Sequence, residues 1–180
     1  MWLLLLILII LLWVISVYNV IVAKRNNVDN AWAQIEVQLK RRHDLIPNLV
    51  KVAKGYLAYE RETLENVIKA RTQAMQAINI KDKETAENFL TSALRSLLFV
   101  VENYPDLKAN QNMLKLQEEI ISTENRIAFA RQYYNDEVMR FNITIQQFPF
   151  CFVARMFCIS KKELFKIEDS SQKEPPKVKL

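Results

Sequence analysis

Gln117, Glu124 and Arg131 lie seven residues apart and run in phase into Val138 and Ile145, which puts a carboxylate and a guanidinium on the apolar seam of one helix. Asn135 and Asn142 form a parallel row beside Tyr134, while Gln38 and Arg42 lie on or beside an earlier seam and Arg71 takes the corresponding place on the next. Burying a lone ion costs on the order of several kcal/mol, so Glu124 is expected to pair with Arg131, Arg71 or Arg42. Closed pairs of this kind set helix register and partner choice. The same groups around an open cleft would suit an anionic ligand, because guanidinium forks match carboxylate and phosphate.

Other chemistries lack their parts. His43 is the single histidine, and it follows three cations, Lys40, Arg41 and Arg42, whose field opposes the imidazolium that nucleophilic catalysis must form. One histidine cannot supply the repeated Glu-x-x-His of a di-metal bundle, and one glycine, Gly55, cannot build a phosphate loop. Cys151 and Cys158 are seven apart, too sparse for a zinc or redox site, and read as small apolar core residues. No enzyme, metal or cofactor is expected.

The elements that position these residues are helices. A single glycine and five prolines suit long helices and leave few hairpin turns. Val28, Trp32, Ile35, Leu39, Arg42, Ile46, Leu49, Ala53 and Tyr56 recur by threes and fours, and the phase holds across Pro47, predicting a kinked helix and not a break. Leu57, Leu64, Val67, Ile68, Ala74, Met75 and Ile78 continue the stripe to about Asn79. Asp82 is the expected cap of a third helix that ends at Tyr104-Pro105, and a last helix of about forty residues is expected from Asp106 to Phe148-Pro149. Short connections imply antiparallel packing. The expected fold is all-α, an N-terminal transmembrane helix followed by an antiparallel bundle of three to four long helices.

Residues 1–23 carry no charged side chain, and the run stops at Lys24-Arg25. At about 1.5 Å per residue it spans roughly 34 Å, against a hydrocarbon core of about 30 Å. No basic n-region precedes it, and Val20-Ile21-Val22-Ala23 makes a poor cleavage site, so an uncleaved anchor is expected. Lys24 and Arg25 flank the span on one side only, which places the N-terminus outside and the bundle in the cytoplasm of a cell (inner) membrane protein. The formal charge of +5 resides beside the span and in the tail, with ten basic against six acidic residues over 24–80 but eight against ten over 81–149. That pattern suits a bilayer surface better than nucleic acid. The organisation predicted is anchor 1–23, bundle 24–149, an apolar segment 150–167 that packs back on the bundle or touches the membrane, and a disordered tail 168–180.

Two runs are long and specific: QLKRRHDLIPNLV at 38–50 and YPDLKAN at 104–110. With the anchor before them and ENRIAFARQYYNDEVMRFN at 124–142 after them, the chain resembles the LemA family of bacterial membrane-anchored proteins. The resemblance implies a membrane helix, a cytoplasmic bundle and no established enzymatic activity. By position it marks Arg42, Asp44, Arg71, Tyr104, Asp106, Lys108, Glu124, Arg126, Arg131, Tyr134 and Asn135 as a polar network or interaction site, with Asn26, Trp32, Pro47 and Pro105 beside them. It also implies a Gly-Phe dipeptide near 158–159, where this chain has Cys158-Ile159. Taken together, the expectation is a non-enzymatic scaffold for an unknown membrane-associated protein, acting singly or as a homo-oligomer. The alternatives are a sensor of a small anionic ligand and a membrane-surface remodelling protein.

Overall fold

A computed structural model describes residues 1–57 and 59–165, and no strand occurs among them. The expected tail, 168–180, and the end of the 150–167 segment lie outside the described residues. Six helices follow in order: α1 (Trp2–Lys54), α2 (Arg61–Gln76), α3 (Ile80–Val101), α4 (Pro105–Lys108), α5 (Gln111–Thr144) and α6 (Phe150–Met156). The fold is all-α.

The apolar run and the first amphipathic seam are one helix of 53 residues, about 80 Å long. No Gly or Pro interrupts it before Pro47, and Pro47 itself sits inside α1 without ending it. This is the single described helix long and apolar enough to cross a membrane.

Three boundaries differ from expectation. Helix α3 starts at Ile80 behind Asn79, because Asn79 precedes the turn and bonds to Asp82 instead of leaving the cap to it. The expected forty-residue helix is split at Asn110, whose side chain accepts hydrogen bonds from the amides of Asn112 and Met113 and so caps a new helix, α5, after the short α4. That helix also stops early, at Thr144, and the irregular apolar stretch contains α6.

Cross-helix contacts give the directions. Lys83 pairs with Glu36 and Glu87 with Arg42, so α3 runs alongside α1 in the same sense, while α5 runs back, bringing Glu124 to Arg42 and Tyr134 to Trp32. Two cores result. The far core joins Ile46, Leu49, Ala53, Leu64, Val67, Leu90, Leu97, Leu107, Met113 and Ile120. The core nearer the apolar end joins Val17, Ile21, Val28, Ile35, Leu39, Tyr134, Val138, Phe141, Val153 and Phe165. Between Leu39 and Ile46, where one core gives way to the other, α1 buries Arg42 and His43.

Candidate functional site

Arg42 is fully buried, and its fork is occupied on both tines. Nη1 donates to Glu124 Oε2 at 2.5 Å and to Thr91 Oγ1 at 3.1 Å. Nη2 donates to the Glu87 carboxylate and to the Glu87 backbone carbonyl at 3.4 Å. The other oxygen of Glu87 accepts from His43 Nε2 at 2.7 Å. Burial alone would raise the Glu87 pKa, but the His43 hydrogen bond and the Arg42 charge outweigh it and hold the carboxyl below the usual carboxylate range.

Arg71 reaches this layer by a different route. Its Nε donates to the backbone carbonyl of His43 at 2.8 Å. That carbonyl lies four residues before Pro47, whose missing N–H leaves it without the helical bond it would otherwise accept. Arg71 on α2 therefore satisfies the group that Pro47 on α1 orphans, and the two residues form one device.

Arg131 lies beside the layer. Burial first, then the charge of Arg42, draw its pKa down, against the opposing pull of Glu87, Glu124 and Glu84. Its guanidinium carbon stands 4.6 Å from the Phe165 ring centroid, a cation–π distance. Arg42 Nε, Arg131 Nε and Nη2, and Gln38 Oε1 are buried without a hydrogen-bond partner among the described atoms.

The remaining sequence candidates go elsewhere. Tyr134 and Asn135 hold a returning strap, residues 159–165, and not Arg42. Tyr134 Oη donates to the Glu163 carbonyl at 3.0 Å, and Asn135 accepts from the Phe165 amide at 2.8 Å while donating to its carbonyl at 2.9 Å. Asn142 repeats this two-point clamp on Lys162, at 2.9 Å in each direction. Burial raises the Tyr134 pKa, and the charges of Asp29 and Glu163 push the same way. Arg126 lines an open groove of about 520 Å³ between α1 and α5, with Gln34, Val37, Gln38, Phe129 and Tyr133. Asp44 is exposed beside a recess of about 290 Å³ that also touches Lys40, Met75 and Lys83. Tyr104, Asp106 and Lys108 stand at the α4 corner, which Asn110 ties to Tyr56 at 3.1 Å. That corner lies at the far end of α1, which ends at Lys54, about 18 Å along the helix from Arg42. Lys24 is half-buried and Arg25 exposed where the charge-free run ends.

Sequence reasoning missed Glu87 and Thr91. The signal was present: Glu84, Glu87, Leu90, Leu94, Leu97 and Val101 continue one stripe by threes and fours, and all six are buried. The cysteines also differ from expectation. Cys151 is half-buried and Cys158 exposed, because Cys151 sits in the first turn of α6 and Cys158 just past its end, both away from the buried pair Val153 and Ala154. No cluster of three metal-binding side chains occurs among the described residues. What this layer can do chemically is hold: both Nη atoms of its fully buried cation are engaged by carboxylates on two other helices.

A family model described as the LemA family matches residues 31–180. Protein LemA of Metamycoplasma hominis is 31% identical over 134 residues, covering 72% of this chain and 60% of that protein. Magnetosome protein MamQ 2 of Paramagnetospirillum magneticum is 24% identical over 174 residues, and magnetosome protein MamQ of Magnetospirillum gryphiswaldense 22% identical over 174 residues. Each of those two alignments covers 82% of this chain and 64% of the relative. The chain thus spans less than two thirds of the length of these curated relatives. With its apolar N-terminal helix, this company fits a membrane-associated protein.

Proposed function

The chain belongs to the LemA family, and we propose that it works as a non-enzymatic scaffold, held by α1 in the cell membrane with its bundle on the cytoplasmic side. The observation that carries this reading is the closure of the Arg42 layer. Arg42 has no exposed surface, and Glu87 and Glu124 already occupy the positions an anionic ligand would take. The paired Arg42 fork fixes how three helices meet, which suits a rigid presenting surface, and it leaves the anionic-sensor alternative only the buried, unpaired Nε and Nη2 of Arg131 beside the layer.

The surface so presented includes the α1–α5 groove, where Val37, Phe129 and Tyr133 are exposed around Arg126. Aromatic side chains with one Arg match the composition of protein contact sites. The names of the relatives, Protein LemA and magnetosome protein MamQ, carry no reaction either. The orientation follows from Lys24 and Arg25 on one flank of the span.

A photo-crosslinking side chain at Phe129 in the full-length chain in living cells tests the role. A reproducible adduct with a membrane-associated protein, lost with Tyr133→Ala, is the expected result. Recovery of uncrosslinked chain alone would sink the scaffold reading. Reporter fusions at the C-terminus test the orientation, and a reporter active only outside the cytoplasm reverses it.

A further inference from the structure

The charge-free run and the packing of α6 meet in a way that neither alone discloses. Val17 and Ile21 belong to the run, yet both are buried, in one cluster with Val153 and Ala154 of α6. Tyr18 stacks on Phe157 with ring centroids 4.6 Å apart. At 1.5 Å per residue, Tyr18 stands about 9 Å from Lys24 toward the apolar end, and Ile21 about 4.5 Å.

If α6 lay wholly in water, the part of the helix left for lipid would be residues 2–16, about 22 Å against a hydrocarbon core of about 30 Å. The span is long enough when residues 17–23 also lie at bilayer depth, and α6 must then lie there with them. Its outer surface agrees. Phe148, Phe152 and Met156, spaced by four, are each more than half exposed, and Phe157 is nearly so. The inner surface, Val153 and Ala154, is buried. From α6 the chain leaves toward Lys161 and Lys162, and Lys162 pairs with Asp29 at 3.1 Å, about 7.5 Å beyond Lys24 on the bundle side. Apolar side chains stand on the span side of Lys24 and Lys161 and Lys162 on the bundle side; the one cation of α6, Arg155, is exposed in its last turn, where a long side chain can reach back to the headgroups.

We propose that residues 148–157 form a second membrane contact, a short helix seated in the leaflet that faces the bundle, with Phe148, Phe152, Met156 and Phe157 among the lipid chains. The depth implied, about 5–10 Å below the level of Lys24, is that of an interfacial helix. The contact makes α1 and α6 a two-point anchor, which holds the rod against rotation about its own axis as a single helix cannot. It does not rest on the scaffold reading or on which side of the membrane the bundle occupies.

The test uses the full chain in phosphatidylcholine vesicles, in a Cys151→Ser, Cys158→Gly background. An environment-sensitive fluorophore is placed at Phe152→Cys, separately at Met156→Cys, and at Phe129→Cys as a bundle-surface control. Both α6 labels should be quenched at least threefold more strongly than the control by a nitroxide at a shallow acyl position, and shielded from aqueous iodide. Labels at 152 and 156 that iodide reaches as readily as 129, with no nitroxide quenching, would overturn the proposal. Reading two positions keeps the result independent of any one substitution, and circular dichroism confirms the helix content of each variant.

Discussion

On either side of Arg42 the same helix keeps different company. Beyond it, from Ile46 to Ala53, α1 meets α2, α3 and the first half of α5 through Leu, Val, Ala and Met side chains. Before it, from Val17 to Leu39, it meets the second half of α5, α6 and the strap, and its Trp32 has Tyr134, Phe141 and Phe165 in the same core. Helices satisfy their own backbones, so the far core can be held by apolar packing alone. The strap is not helical, and its amides and carbonyls need partners. Asn135, Asn142 and Tyr134 supply them. Where one core is built from self-sufficient elements and the other is not, the polar residues appear on the side that is not.

The comparison breaks most violently at its joint. Arg42→Ala would strip buried Glu87 of its ion-pair partner, leaving only the His43 hydrogen bond and the more distant charge of Arg131, and removing one partner of a buried pair costs about 3–5 kcal/mol. Chemical unfolding of the full chain in micelles should show that loss with both cores failing together. A loss under about 1 kcal/mol would mean that the two cores are independent and the layer incidental. Replacing Arg42, Glu87 and Glu124 together with apolar residues should recover most of the stability, since a well-packed apolar substitute is often neutral.

Acid attacks the same joint more gently. The Glu87 pKa is lower in the folded chain than its ordinary value of 4.5, so its contribution is fully present above that value. It is lost as pH falls through the folded pKa. Hydrogen exchange taken stepwise below pH 4.5 should therefore open residues 84–91 and 38–46 before the far core around Leu64 and Leu97. Uniform opening would argue that Glu87 has no special place in the acid transition.

Next in size is the Arg71–Pro47 device. Arg71→Ala leaves the His43 carbonyl without a partner, at about 1–3 kcal/mol. Pro47→Ala restores an N–H that can take that carbonyl within α1. In the Pro47→Ala background, Arg71→Ala should cost clearly less, and the double-mutant cycle reads the difference. Additive effects would show that the two residues are unrelated.

Asn135→Ala sharpens the other side. It removes both bonds to Phe165, in a place water can partly reach, for an expected cost of about 1–2 kcal/mol. The loss should be local. Exchange at 159–165 should rise while the far core keeps its protection, and equal loosening of Leu64 and Leu97 amides would erase the distinction between the halves.

Much of this was legible in the sequence, and unevenly so. The long apolar helix follows from a charge-free run and the seams from periodicity, both properties of neighbours along the chain. The Glu124–Arg42 pair is among the three expected, because an ion on a seam restricts its own partners. The partner Glu87 escaped notice because its seam turns polar toward Glu84, and polarity on a seam looks like the end of a stripe. The Asn135 and Asn142 row was visible as a pattern, but its object, a strap twenty to thirty residues later, was not, since sidedness does not reveal what will lie against a face. Pro47 and Arg71 were each marked by family resemblance, while their connection is a single backbone carbonyl that no side-chain pattern encodes.

The smallest expected effect tests the turn between α6 and the strap. Cys158 has φ 52°, the left-handed region, where a side chain costs about 1–2 kcal/mol. The family resemblance implies glycine near this position, and the structure supplies the reason. Glycine takes that conformation freely but gains more freedom in the unfolded chain, which returns about 0.5–1 kcal/mol. Cys158→Gly should therefore stabilise by about 0.5–1 kcal/mol net, raising the melting temperature by about 1–4 °C for a chain of this size. A fall would mean that the thiol contacts something the turn needs. A rise would show that the strap keeps its course despite the cysteine, because Asn142 and Asn135 grip it four and seven residues farther on, at Lys162 and Phe165.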